Sequence, residues 1–150
     1  MSEEFKHIVR IAGEDLPGDK SLVYALTGIK GIGINLAYII CRKMGFDPER
    51  KLGSLSEEEI EKLDAIVKNV HELRLPPWVL NRRKDPFTGE NRHLITSDLV
   101  FMVRQDIEFM KKIKCWRGIR HKLGLKVRGQ RTKTTGRTGM TIGVRRKKSR

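Results

Sequence analysis

A chain of 150 residues has room for one domain with a real core, or for a small domain and an extension. The formal net charge of +14 is uneven: Lys111 to Arg150 holds 16 Lys and Arg and no Asp or Glu, while the other 16 basic residues face all 18 acidic ones, so the two parts carry +16 and −2. Such a block of like charge stays extended until a polyanion meets it, which points to nucleic acid; the acidic start Met1–Glu4 argues against a secretory signal, and no window approaches the roughly 18 apolar residues of a membrane span.

A cytoplasmic protein without membrane contact is therefore expected. Cys41 and Cys115 are single, with no CxxC spacing, and read as two semi-buried thiols rather than as a disulfide or a metal site.

Along the chain, His7 to Ala12 reads as a short extended segment. Pro17 and Gly18 turn it before Asp19, a candidate N-cap. Leu22, Ala25, Leu26 and Ile29 follow at helical spacing. Gly28, Gly31 and Gly33 interrupt that helix, and a second begins near Asn35, carries Leu36, Ile39, Ile40 and Lys43, and stops at Gly45. These two make a helical hairpin. After Asp47 and Pro48, Ser56 with Glu59 three residues on forms a capping box, and Ile60, Leu63, Ile66, Val67 and Val70 stripe the third helix.

Residues 71–95 suit a basic surface loop, with Pro76, Pro77, Pro86 and a turn at Thr88–Gly89 among Arg82, Arg83, Lys84 and Arg92. Thr96 or Ser97 then caps a long fourth helix. Leu99, Val103, Ile107 and Met110 line one face of it, and Met102, Phe109, Ile113 and Trp116 widen that face. Asp98 near its start and Lys111, Lys112 and Lys114 at its end agree with the helix dipole. Beyond it glycines recur among cations, and no separately packed domain is expected there.

Two segments carry the chemistry. The first is Gly28-Ile29-Lys30-Gly31-Ile32-Gly33 between two helices. Glycines here permit positive φ and leave no side chain over the amides, so the turn and the helix N-terminus behind it suit one phosphate. A tight helical hairpin also needs glycine simply to turn, with Ile29 and Ile32 plugging the core, and both readings stay open. A dinucleotide fold is a poor match, because no strand precedes the glycines and their order is wrong. A Walker A loop fails for want of Gly-Lys-Ser/Thr.

The second segment is Arg117 to Lys133. Arg117, Arg120, His121, Lys122, Lys126, Arg128, Arg131 and Lys133 are spaced by glycines and by Gln130, Thr132 and Thr134. Arginine's planar fork grips phosphate in bidentate fashion, and the polar residues suit phosphates and sugars. No aromatic follows Trp116, so backbone and shape, rather than base stacking, should be the main mode of reading. No catalytic constellation stands out. His7, His71, His93 and His121 lack metal-ligand spacing, and Glu57, Glu58, Glu59 and Glu61 open a helix, where the dipole favours them.

The chain resembles the small-subunit ribosomal protein thirteen family in its archaeal and eukaryotic form. The likeness covers nearly its whole length: Arg10-Ile11-Ala12-Gly13, Tyr24-Ala25-Leu26 into Gly31-Ile32-Gly33, and above all Arg117-Gly118-Ile119-Arg120-His121 through Gly124-Leu125 and Val127 to Thr134. The 71–95 loop, with Pro76-Pro77-Trp78 and Asn81-Arg82-Arg83-Lys84, is similar to that form's insertion, so bacterial contacts are not carried onto it.

The resemblance implies a mainly α protein: a helix-two-turn-helix domain over residues 1–116 and a long basic, largely extended arm over 117–150. It implies a structural role without catalysis, metal or cofactor, on rRNA in the head of the small subunit. Implied partners are small-subunit protein nineteen, large-subunit protein five and large-subunit rRNA at intersubunit bridges, and peptidyl-site tRNA near Arg145, Arg146, Lys147, Lys148 and Arg150. The rRNA-binding candidates are Lys30, Gly31, Gly33, Arg82, Arg83, Lys84, Arg117, Arg120, His121, Lys122, Lys126, Arg128, Gln130, Arg131, Thr132 and Lys133. From another class, a free-standing DNA-binding protein would use the same hairpin and arm on duplex backbone, and a base-flipping repair enzyme would add a catalytic pocket.

Overall fold

A computed structural model describes residues 5–135, with the side chains of 71 and 72 left out. The expectations placed on Met1–Glu4 and on Arg145 to Arg150 lie outside those residues, as does any statement about the side chain of His71. Contacts group the chain into two compact units, Met1–Met102 and Val103–Arg150.

The first unit opens with an antiparallel hairpin, β1 (Ile8–Ile11) and β2 (Glu14–Pro17), in which Val9 faces Leu16 and Arg10 faces Asp15. Ala12 and Gly13 make its two-residue turn, both at positive φ (51° and 81°), the geometry that matches strand twist. The extended segment at His7–Ala12 is thus present, and the chain continues into a second strand that the sequence reading did not include. Val9, Ile11 and Leu16 point inward and are buried.

Next come α1 (Leu22–Leu26) and α2 (Ile34–Met44). The cap of α1 is Ser21, not Asp19. The turn over residues 18–20 and the extended Ser21, which bridges to Lys51, are tied to the chain at 50–53: Gly53 donates to the Gly18 carbonyl, Leu52 to Lys20, and Leu22 to Arg50, at 2.8–3.0 Å. Helix cannot begin until that pairing ends. Ile29 lies past the end of α1 but is buried all the same. α2 stops at Gly45, whose left-handed φ of 74° closes the helix.

Helix α3 (Glu57–Lys68) starts on the expected capping box: the Ser56 hydroxyl accepts from the Glu59 amide and the Glu59 carboxylate accepts from the Ser56 amide. Leu63 and Val67 are buried in the core, and Ile60 and Ile66 pack against it. Val70 is buried too, although it sits in the short 3-10 turn Val70–Leu73 beyond the helix end. The Asp64 carboxylate reaches back to the hairpin, accepting from the Ala12 amide at 2.7 Å, while also pairing with Lys68.

The last long helix, α4 (Thr96–Ile113), has the acidic start and basic end expected of it, yet none of its residues is buried. Its apolar stripe is at most half-buried among the described residues, with Leu99, Met102, Ile107 and Met110 half-buried and Val103 and Phe109 exposed. Thr96 is its first residue, at a φ of +43°.

Within Val103–Arg150, a break at Lys114 (φ +59°) precedes α5 (Trp116–Lys122). This corrects the expectation of extended chain from residue 117. Cys115 caps the helix with its sulfur, accepting from the Gly118 amide at 3.4 Å. Gly118 is buried where a Cβ would lie 2.0 Å from the Met110 carbonyl oxygen, so only glycine lets α5 come this close. After Lys122 no further helix or strand occurs through residue 135.

Candidate nucleic-acid interface

Gly31 and Gly33 differ in conformation and surroundings. Gly31 has a φ of +102°, and a Cβ there would meet the Leu94 carbonyl oxygen at 2.5 Å and the Ile95 Cα at 3.1 Å. It is glycine because the chain turns and packs. Gly33 caps α2 at a φ of −94° with open space where its Cβ would be, and no side chain caps that helix end. The surface suited to an anion is therefore at Gly33, with the exposed Lys30 three residues before it.

The loop at 73–95 is fastened to this turn. The Lys30 carbonyl accepts from the Thr96 amide at 2.8 Å, and the Gly31 carbonyl lies 3.0 Å from His93 Nε2. His93 is nearly buried, and its Nδ1 accepts from the Asn81 amide at 3.3 Å. A carbonyl only accepts and an amide N–H only donates, so the ring carries its proton on Nε2. The Asn81 side chain adds two bonds to Leu94, one at each end of its amide. The sequence reading passed over His93 and Asn81, since neither stands near Gly31 in the chain.

In the same loop Arg82 and Arg92 pair their backbones as a single bridge, closing the turn at Gly89. The Arg82 side chain is only 12% exposed and donates from Nε to Asp85 at 2.7 Å; the Asp85 carboxylate is 3% exposed. That bond, with the Phe87 amide, holds the Asp85 carboxyl below the usual carboxylate range against the opposing effect of burial. Arg82 thus braces the loop from within. Arg83 and Lys84 stand exposed beside it, with the Lys84 amide tied to Asn91.

The basic arm has more order than its composition suggests. Arg117 and His121 are four apart on α5 and so share a face. Arg120 donates from Nε to the Lys126 carbonyl at 2.9 Å, and its guanidinium lies 5.9 Å from the Trp116 ring centroid. This folds residues 124–128 back along the helix. The Arg128 amide donates to the Gln130 side chain at 3.0 Å, with Gly129 turning at a φ of +76°. Together, Met110, Arg117, His121, Val127 and Arg128 line a cleft of about 640 Å³. Lys122, Lys126, Arg131 and Lys133 are exposed, and Thr132 is half-buried. An aromatic four residues before an arginine was the sequence signal for the Trp116–Arg120 pair.

Among the described residues no three His, Cys, Asp or Glu gather as a metal site. No helix among them is long and apolar enough to cross a membrane. Both cysteines are free thiols, and burial pushes Cys41 up to about 11, away from thiolate chemistry.

Comparison with known proteins gives this basic surface a family. Residues 10–138 match the family described as ribosomal protein S13/S18. Over 150 residues the chain is 66% identical to the small ribosomal subunit protein uS13 of Thermofilum pendens, spanning all of this chain and 96% of that one. It is 56% identical over 147 residues to uS13 of Staphylothermus marinus, covering 98% and 97%, and 58% identical over 149 residues to uS13 of Pyrobaculum islandicum, covering 99% and 97%. On matches of this length and identity, the chain belongs to the ribosomal protein S13/S18 family in its archaeal form, a structural family without enzymatic activity.

Proposed function

We propose that this protein is a structural constituent of the small ribosomal subunit of the cytoplasmic ribosome, and that it binds rRNA in the head through two surfaces. One is the turn at Lys30, Gly31 and Gly33, where the open N-terminus of α2 seats a phosphate while Arg83 and Lys84 reach a neighbouring strand and Arg82 braces them. The other is the arm, in which Arg117, His121, Lys122, Lys126, Arg128, Arg131 and Lys133 follow an RNA groove, with Arg120, Gln130 and Thr132 shaping or touching it. Functionally, residues 1–116 act as the helical body and 117–150 as the RNA-binding extension.

The observation that carries this reading is the cationic arm. After Glu108 no carboxylate occurs, and Arg117 and Arg128 form no ion pair among the described residues, so their charge faces outward. Crevices between rRNA helices are strongly negative and narrow, and a thin cationic element enters where a globule cannot. Within the same reading the protein neighbours small-subunit protein nineteen, takes part in bridges to large-subunit protein five and large-subunit rRNA, and brings Arg145 to Arg150 toward peptidyl-site tRNA. The unburied apolar stripe of α4 gives such protein neighbours something to cover.

The test is sedimentation of the tagged protein from a lysate of its own cells after a moderate salt wash. Stoichiometric recovery with small subunits and whole ribosomes is expected. Recovery at the top of the gradient or with chromosomal DNA would overturn the proposal in favour of a free-standing DNA binder.

A further inference from the structure

The arm carries a concave feature that combines cations with an apolar floor and has no carboxylate in its lining. It is the cleft of about 640 Å³ lined by Met110, Arg117, His121, Val127 and Arg128. Its walls come from three pieces of chain: the end of α4, one face of α5, and the returning segment after Gly124.

Each piece is fixed by an interaction already described. Gly118 brings α5 against the Met110 carbonyl, Arg120 holds the Lys126 carbonyl so that Val127 and Arg128 face back, and Gln130 ties the Arg128 amide. The cleft is a product of the arm's fold rather than an accident of a loose tail. Its volume falls within the range of pockets that hold small organic groups.

The chemistry of the lining is that of a nucleotide. Arg117 and Arg128 are exposed and unpaired, as suits a phosphate, whereas Met110 and Val127 are half-buried and apolar, as suits the face of a base. His121 stands one turn beyond Arg117, half-buried, with a flat ring and a polar edge. An arm reading backbone alone would need cations on an open surface and would gain nothing from an apolar floor. Resting on the rRNA reading above, we propose that this cleft receives a single unpaired RNA nucleotide turned out of its helix, its phosphate on Arg117 and Arg128 and its base against Met110, Val127 and His121. The arm would then fix its position on rRNA at one point and slide by charge elsewhere.

The test uses the full chain and RNA hairpins of one stem sequence: fully paired, with a one-nucleotide bulge of each of the four bases, and with an abasic bulge. Affinities are measured at 100 mM salt. At least one base-bearing bulge is expected to bind about tenfold more tightly than the paired stem, on the scale of one base contact. The abasic bulge should bind like the paired stem, and V127W, which crowds the cleft and leaves every cation in place, should bring the preference within about twofold of unity.

Equal gain from the abasic bulge would overturn the proposal, since a flexible backbone would then explain it. Persistence of the preference in V127W would overturn the location. No preference for any bulge, with binding of all hairpins retained, would overturn the cleft and leave the rRNA reading standing. Failure to bind any hairpin even at 50 mM salt would remove that reading and the cleft with it.

Discussion

The two compact units of this chain hold their shapes in opposite ways. Met1–Met102 buries nineteen apolar residues in one cluster, from Val9 in the hairpin to Ile95 before α4. In the described residues of Val103–Arg150 only Gly118 is buried, and Val103, Phe109, Ile113, Trp116, Ile119, Leu123 and Leu125 are all exposed. One unit is stabilised by removing apolar surface from water. The other takes its form from close backbone approach and a few hydrogen bonds, and among the described residues keeps its charge and most of its apolar side chains exposed. The first can be broken by a cavity, and the second by salt.

Salt should therefore produce the largest effect. If the arm neutralises roughly 6 to 10 phosphates, RNA affinity should fall by about 10³ to 10⁵ between 50 and 200 mM salt, with the B-DNA slope as the upper guide. Binding isotherms over that range measure the slope directly. Thermal unfolding of the protein alone over the same range should move little, since the core is apolar. A salt-insensitive complex would mean that the two units do not divide the work in this way.

Next in size is a cavity. Leu63 is fully buried on α3, and Leu63→Ala should cost about 2 to 5 kcal/mol of stability, read by denaturant unfolding. The counterpart on the arm, Ile113→Ala, removes an exposed side chain and should stay within about 0.5 kcal/mol. Equal losses from the two substitutions would contradict the contrast. Arg120→Ala tests the arm in a different manner. It removes the bond to the Lys126 carbonyl and the contact with Trp116, and should release the returning segment, seen as faster amide exchange at Lys126 to Arg128, without unfolding Met1–Met102.

The glycine turn gives a smaller and sharper comparison. Gly31→Ala combines a positive φ with a clash on the Leu94 carbonyl, and should cost about 1 to 3 kcal/mol. Gly33→Ala has open space and an ordinary φ, and should change stability by no more than about 0.5 kcal/mol. If the α2 terminus seats a phosphate, Gly33→Ala should nevertheless weaken RNA binding, because the added methyl enters the open space beside the helix end. Unchanged affinity in that variant would remove the phosphate from the turn.

Where a feature depends on neighbours along the chain, it could be read directly. The capping box at Ser56 and Glu59, the stop at Gly45 and the polarity of α4 are local, and each was visible as residue types at fixed spacing. The start of α1 was misread because Ser21 is held by Lys51, thirty residues on, and no local signal reports that bridge. Strand β2 was missed because Glu14-Asp15-Leu16-Pro17 has poor strand composition. Only the Ala12–Gly13 turn and its register with β1 make it one. α5 was hidden by cations and glycines that suggest open chain, whereas Gly118 is there to bring two helices together. In the candidate interface the charges were legible and their tethering was not, since the bonds from Arg82 to Asp85 and from His93 to Gly31 depend on the loop's fold.

Acid supplies the smallest effect, and it should fall mainly on Met1–Met102. Asp64 is partly buried, which by itself raises its pKa, but the bonds from Lys68 and from the Ala12 amide outweigh that and hold it below the usual carboxylate value. Glu59 is lowered as well, first by the Ser56 amide and then by Arg50. A carboxyl whose folded pKa is depressed adds stability above its unfolded pKa, near 4, and loses it as pH falls through the folded value. Met1–Met102 should accordingly lose stability below about pH 4. From Lys111 on the chain has no Asp or Glu, and amide exchange in α5 should not follow that titration. Asp64→Asn keeps an acceptor for the Ala12 amide but cannot titrate, and should flatten the acid limb of the melting temperature by an amount worth under about 1 kcal/mol. An unchanged acid limb in Asp64→Asn would mean that the tie from α3 to the hairpin contributes nothing through its charge, and that the limb belongs to Glu59 and its bonds to Ser56 and Arg50.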